Sequence, residues 1–441
     1  MLGHQHLQVL RLTPGSFTLP AKEKPFAGSK STGGPKNTPA RIYRTFRVGV
    51  GRWCGIPSAA LRYDAWNGTL EPWLHHGACS KHASTAWKPP SSLSPFPGSL
   101  YVIPNRRCNF RCSYCYAAKS RDGSEMDMDA LTSLLEAFYG FHNSGEEVRV
   151  SFIGGGEPLL SPHLVERGMR MARRLERERG VKTTLGLVTN GSLLSDNLIM
   201  FLAEIHANVE VSFDVLRDVQ EAQRGPYTAV AENVRKASRR LQVTVRTVAT
   251  RKNVERLDET VRECALTFPE VHAWRCDPDM DATGREFFRS YTTHFIRALE
   301  TAKENEWNLR VENTATRCLA GPAIRFCGIS WVAGPTGTIS RCPCDDGTMV
   351  DIVGHFGGWG VEWQKDLPEI GSALSESCIS GCERCFLRWN CAGGCPARRR
   401  RSNPVDWKEL CRSQRTVASW VLAKQADLIW GEGWAQRKSH S

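Results

Sequence analysis

Seventeen cysteines in 441 residues would be unusual for a chain of this size unless the thiols do chemistry, and their placement limits the fold more than any other feature. Three sit together at Cys108, Cys112 and Cys115, and ten lie between Cys318 and Cys411. A secreted disulfide scaffold of comparable density is a far shorter chain. The clustering therefore predicts metal or cluster ligation, in two separate places.

Between these places the sequence alternates β-branched runs with amphipathic stretches, the pattern of β/α units around a parallel sheet. The strands read as SLYVI, VRVSFI, TLGLVT, VEVSF, VTVRTVAT and VHAWRC. The intervening helices read as DALTSLLEAFYGF, PHLVERGMRMARRLERE, DNLIMFLAEI, VAENVRKASRRL and VERLDETVRECALTF. Six such units predict an α/β fold, an open partial barrel with its reactive face at the C-terminal ends of the strands. Residues 1–97 are Pro/Gly-rich without sustained periodicity and are expected to be poorly ordered, or a flap carrying Cys54 and Cys79. The core is expected over 98–314, a cysteine-rich domain over 315–415, and a C-terminal helix or tail over 416–441.

The formal charge of +12 favours acidic partners. No run of eighteen or more apolar residues and no signal-type N-terminus occurs, so a cytoplasmic protein with no membrane partner is expected.

The segment CNFRCSYCY places Cys108, Cys112 and Cys115 at C-x3-C-x2-C directly after a predicted strand. Three thiolates on one loop can hold three irons of a [4Fe-4S] cluster and leave the fourth open. A structural zinc loop is the competing reading, but zinc wants a fourth local ligand. Next comes FIGGGEP, where Gly154, Gly155 and Gly156 permit close backbone approach and Glu157 offers a carboxylate. TNG ends the third strand with Thr189 and Asn190, and VSFD ends the fourth with Ser212 and Asp214. Arg224 follows Ser212 by twelve residues. Taken singly, these would be ordinary turns, caps and an exposed arginine.

In this order the motifs resemble the radical S-adenosylmethionine (SAM) superfamily. The resemblance implies that the open iron chelates SAM and that one electron splits it to a 5′-deoxyadenosyl radical, with a flavodoxin- or ferredoxin-type donor outside the chain. It places Tyr114, the glycine segment with Glu157, Thr189, Asn190, Ser212, Asp214 and Arg224 around SAM. The last cysteines, C-x2-C-x5-C-x3-C-x15-C from Cys382 to Cys411, follow Cys327, Gly337 and Cys342 at C-x9-G-x4-C. This resembles a SPASM domain, the auxiliary-cluster module of peptide-modifying relatives, with a slightly short last spacer. The resemblance assigns one auxiliary [4Fe-4S] cluster to Cys318, Cys327, Cys342 and Cys395, and another to Cys382, Cys385, Cys391 and Cys411. Paired zinc ribbons compete with this reading, and Cys344 or Cys378 could replace a named ligand.

The implied activity is hydrogen abstraction from a peptide or protein substrate, acidic in part, followed by cross-linking, oxidation or epimerisation. Formylglycine formation ranks second, because anaerobic sulfatase maturases carry an Asp directly after the equivalent of Cys342 and Pro343 stands here, ahead of Asp345 and Asp346. An iron-sulfur electron carrier would not need Gly154 to Glu157, Ser212 or Arg224. An RNA-modifying enzyme fits the charge, but no RNA-binding module is evident. Cys264 and Cys276 read as core residues, and the run Arg398 to Arg401 as a solvated face that could grip an acidic leader peptide.

Overall fold

The computed structural model describes residues 98–319, 330–342, 352–363, 382, 385, 387–391 and 393–430, together with four short strands nearer the N-terminus. Those four are β1 (Tyr43–Val48), β2 (Gly51–Ile56), β3 (Ala59–Tyr63) and β4 (Pro72–Trp73), an antiparallel sheet ordered β3-β2-β1-β4. Strand structure in a segment without strand periodicity was not expected.

The core is a parallel sheet built from β5 (Ser99–Val102), β6 (Glu147–Phe152), β7 (Lys182–Thr189), β8 (Asn208–Ser212), β9 (Val243–Ala249) and β10 (Ala273–Pro278). These six match the six predicted strands. Consecutive members pair in parallel, with registers such as Leu100 opposite Val150 and Val211 opposite Val245. Alternate residues of each strand, including Leu100, Val150, Leu185, Val209 and Val245, lie in one continuous apolar core with no more than 1% exposed. Burying that stripe against helices holds the sheet and its helical layer together.

The helices are α1 (Met128–Gly140), α2 (Pro162–Arg179), α3 (Asp196–Glu204), α4 (Arg217–Gln223), α5 (Tyr227–Ser238), α6 (Leu257–Thr267) and α7 (Arg285–Glu304). Local chemistry sets several ends. Asp127 caps α1 by accepting from the amides of Asp129 and Ala130, Ser195 caps α3, and Gly180 takes the left-handed conformation that closes α2. Helices α4 and α7 are additional to the sequence expectation. In α7 the apolar stripe Phe287, Phe288, Tyr291, Phe295, Ala298 and Ala302 is helical in spacing, but its aromatic residues have modest helix propensity.

A seventh parallel strand, β11 (Arg310–Glu312), pairs with β10, and α8 (Thr314–Cys318) follows it. The sheet continues beyond Cys318. Strand β12 (Ser330–Ala333) pairs in parallel with β5, and β13 (Thr338–Ser340), β14 (Ile352–Gly357) and β15 (Gly360–Trp363) continue antiparallel. The result is one sheet of eleven strands, ordered β11-β10-β9-β8-β7-β6-β5-β12-β13-β14-β15. The C-terminal meander thus covers the backbone edge that a six-stranded sheet would leave at β5.

Three helices end the described chain: α9 (Arg388–Cys391), α10 (Pro396–Arg401) and α11 (Pro404–Trp430). Helix α11 carries Cys411 and runs unbroken across the boundary expected near 415. It docks on α7 through Asp406, which accepts from the Gly284 amide at 2.6 Å, and through Ser413, which pairs with Thr292 at 2.7 Å. No helix among the described residues is long and apolar enough to cross a membrane.

Candidate functional site

Every residue singled out in the first half of the core gathers at the C-terminal edge of β5 to β8. Strand β5 leads into the loop bearing Cys108, Cys112 and Cys115, which is tied down on each side. The Ser113 amide donates to the Gln223 carbonyl at 2.9 Å, and Asn109 accepts from Asn190 Nδ2 at 2.7 Å. Phe110 is buried beneath Gly225, where an added Cβ would lie 3.2 Å from its ring. Burial pushes the Cys108 and Cys112 thiols up, and two guanidinium groups oppose it, Arg121 beside Cys108 and Arg224 beside Cys112.

The glycine segment lies against this loop. A Cβ on Gly156 would fall 1.9 Å from the Arg107 carbonyl oxygen, and the Glu157 amide donates to that oxygen at 2.6 Å. Glycine at 156 is therefore a steric requirement of the approach. The Glu157 carboxylate is enclosed. It accepts from Thr189 Oγ1 at 2.6 Å, from the Asn190 amide at 2.7 Å and from the Leu159 amide at 3.1 Å. Burial pushes this carboxyl up, and those donors pull against it. Glu157, Thr189 and Asn190 thus form a clasp joining the ends of β6 and β7 to the cysteine loop.

A second buried network closes the β8 side. Asp214 Oδ2 accepts from Tyr114 Oη at 2.8 Å and from Gln223 Nε2 at 2.9 Å, and Arg224 Nε stands 3.4 Å away. Arg224 also donates to the Tyr114 hydroxyl, and through Nη1 to the Ser212 carbonyl at 2.8 Å. Burial pushes the Asp214 carboxyl up while Arg224 opposes it. The following residue, Val215, has φ of 63°, and the Leu216 amide returns to the Asp214 carbonyl at 2.7 Å. A β-branched residue in that region is strained, and the tight turn is what aims Asp214 inward.

On the sheet face opposite the helices, charged residues alternate. Arg246 and Arg275 both pair with Glu210, and Arg275 and Arg310 both pair with Glu312. Arg317, one residue before Cys318, makes no ion pair among the described residues, and the nearby charge of Arg275 holds its guanidinium below the ordinary value. The sequence reading missed this row, because strand alternation brings together residues 210, 246, 275 and 312 only after the sheet has paired.

In the C-terminal region, Cys411 is pushed up to about 12 by burial and by its neighbours Cys391, Cys382 and Cys385. These are the four cysteines expected to act together. Cys318 and Cys391, expected in different sets, share a hydrogen bond that lowers the first thiol and raises the second. Cys327, Cys344, Cys378, Pro343, Asp345 and Asp346 lie outside the described residues. Cys264 and Cys276 are fully buried. Arg398 is not on a solvated face. It is 6% exposed and donates to the carbonyls of Pro278, at 2.9 Å, and Asp279, because α10 is seated on the end of β10.

A parallel sheet of this order, with a three-cysteine loop after its first core strand, has the features expected of a radical SAM domain. Residues 102–264 match the Radical SAM superfamily. Among curated relatives, the tungsten-containing aldehyde ferredoxin oxidoreductase cofactor-modifying protein of Pyrococcus furiosus is 32% identical over 177 residues, 37% of this chain and 47% of that one. A GTP 3′,8-cyclase of Sinorhizobium medicae is 29% identical over 306 residues, 64% of this chain and 81% of that one. The chain spans about half the length of the first curated relatives it matches. Among solved structures, anSMEcpe with bound AdoMet superposes with a TM-score of 0.61 at 16% identity, over 75% of this chain and 98% of that one. Streptococcus suis SuiB bound to S-adenosylmethionine gives 0.50 at 16% identity, over 69% and 74%.

A domain of this family implies SAM and a [4Fe-4S] cluster, and the residues present fit them. The donors on the loop are three soft thiols, which suit iron-sulfur ligation. Among the described residues no three His, Cys, Asp or Glu side chains converge on one metal ion. Thiolates around a cluster stand further apart, each on its own iron.

Proposed function

We propose that the chain is a radical SAM/SPASM maturase that cleaves SAM reductively and takes a hydrogen atom from a peptide substrate, modifying a ribosomally made peptide by cross-linking, oxidation or epimerisation. The observation that carries this reading is the meeting of the cysteine loop with Arg224, Ser212, Tyr114 and the glycine segment at one edge of the sheet. When bound, the cluster supplies an electron to SAM, whose 5′-deoxyadenosyl fragment then serves as the hydrogen acceptor.

Cys108, Cys112 and Cys115 would hold three irons. The backbone of Gly154 to Gly156 would bind the amino end of SAM, with Glu157 fixing that turn from behind. Arg224, kept in place by Asp214 and Tyr114, offers its remaining N–H groups to the SAM carboxylate, and Ser212 lies beside it for the ribose. Cys382, Cys385, Cys391 and Cys411 would hold one auxiliary cluster, and Cys318, Cys327, Cys342 and Cys395 another. Full ligation suits electron transfer from the substrate radical.

Support for a peptide comes from the solved relatives: one anSMEcpe structure carries a Cp18Cys peptide, and one SuiB structure carries its precursor peptide SuiA. The cationic Arg317 and the arginine-bordered inner face favour an acidic segment of such a peptide. Formylglycine formation stands second on the anSMEcpe likeness, and Pro343 after Cys342 argues against it.

Anaerobically reconstituted protein should hold about twelve irons, four per cluster. Cys112→Ala should abolish 5′-deoxyadenosine formation under dithionite and remove about four of them. Undiminished cleavage in that variant refutes the site, and iron near four with bound zinc refutes the auxiliary clusters. Mass spectrometry of candidate peptides after co-expression then reads the modification, with an aldehyde on a sulfatase-type peptide promoting the second reading.

A further inference from the structure

Arg121 follows the cysteine loop in a stretch that carries no motif. Its Nη1 donates to the Phe110 carbonyl at 2.9 Å, and its Nη2 lies 3.2 Å from Cys115 Sγ. Its Nε is enclosed without a partner. Of the arginines nearby, Arg106 pairs with Asp122 at 3.1 Å and Arg107 with Glu125 at 2.7 Å, while Arg111 is exposed to solvent. Arg224, across the loop, has Asp214. Among the described residues Arg121 has no carboxylate. A partly enclosed cation without a counter-ion is costly, and the anions within reach are the thiolates of the loop.

We propose that Arg121 is a positioning residue that raises the reduction potential of the cluster held by Cys108, Cys112 and Cys115, through a charge-assisted N–H···S hydrogen bond to the Cys115 thiolate. This rests on the cluster reading above and goes beyond it. One electron from an external low-potential donor adds negative charge that spreads onto the thiolate sulfurs. A fixed cation donating to one of them stabilises the reduced form more than the oxidised form. The hydrogen bond is kept in both redox states, and no proton is transferred with the electron. Its planar fork is aimed by the Phe110 carbonyl, itself held by a buried ring, so the second arm points at sulfur with little freedom left to lose.

The test is an EPR-monitored redox titration of the anaerobically reconstituted full chain, wild type against Arg121→Ala and Arg121→Lys. The relevant signal is the one that changes shape when SAM is added. Arg121→Ala should keep its iron and lower the reduced-to-oxidised ratio at a fixed potential about tenfold, equivalent to about 59 mV for a one-electron couple. Arg121→Lys, with charge but no fork, should fall between. The signals indifferent to SAM should keep their midpoints. An unmoved midpoint in an iron-replete Arg121→Ala overturns the proposal while the cluster reading stands. Absence of any SAM-responsive signal in the wild type overturns both. If Arg121→Ala does not retain the cluster, Arg121→Gln, which keeps an N–H donor and drops the charge, decides by the same shift or its absence.

Discussion

Tyr114 and Asp214, one hundred residues apart in the chain, are joined by a 2.8 Å hydrogen bond in which the phenol donates to the carboxylate. Asp214 also faces Gln223 and Arg224, so one buried anion holds the cysteine loop, the end of β8 and α4 in a single arrangement. Asp214→Asn should leave Arg224 enclosed without its counter-ion. A loss of about 3 kcal/mol in chemical denaturation is expected. SAM affinity, measured anaerobically by equilibrium dialysis on reconstituted protein, should fall about tenfold, or about 1.4 kcal/mol. Tyr114→Phe removes one hydrogen bond and should cost about 1 kcal/mol with the iron content kept.

Gly156→Ala meets a wall rather than a cavity. Its Cβ would overlap the Arg107 carbonyl, next to Cys108, so the loop must move off the glycine segment. The expected result is a destabilisation of about 4 kcal/mol or more in denaturant titration, together with loss of the SAM-responsive cluster in iron and EPR assays. Gly155→Ala meets only side chains, Ile103 at 3.0 Å and Arg106 at 3.7 Å, and should be far milder. Equal behaviour of the two variants would contradict the packing described.

Arg398→Met keeps an unbranched stem on a side chain that docks α10 on the barrel, and removes its donors to Pro278 and Asp279. Two carbonyls lose charge-assisted partners, at a cost of about 3 kcal/mol. Limited proteolysis should then cut first on the C-terminal side of residue 315.

Glu210 provides a pH signature. Burial works to raise its carboxyl, but Arg246 and Arg275 outweigh that and hold it below the ordinary value. A depressed carboxyl contributes stability that is present above its unfolded value, near 4.3, and lost as pH falls through the folded one. Glu210→Gln should therefore be less stable than wild type by about 2 kcal/mol at pH 7, discounted because Arg246 is 42% exposed. The gap should close below about pH 4, as read by denaturant midpoints across pH.

Much of the core was readable because its signals are local. β-branched runs of strand length name β5 to β10, and the three cysteines announce their chemistry by spacing within one loop. The second half was less legible. Helix α7 is aromatic where helices are usually aliphatic, α4 is too short for its period to register, and β12 is apolar on both faces, so its run could not be told from a buried helix segment. Helix α11 was expected only from residue 416, because its first turns lie among the cysteines and arginines of the preceding segment.

From the sequence alone came the class of chemistry, since thiol spacing and glycine placement are properties of consecutive residues. Tertiary structure decided which groups serve it. Glu157 is enclosed by Thr189 and Asn190, Arg224 is leashed to Asp214, Arg398 is buried, and Arg121 reaches a thiolate. Each of these pairings, except the short reach of Arg121 to Cys115, joins residues from different strands or helices, and only the folded sheet sets the distance between them.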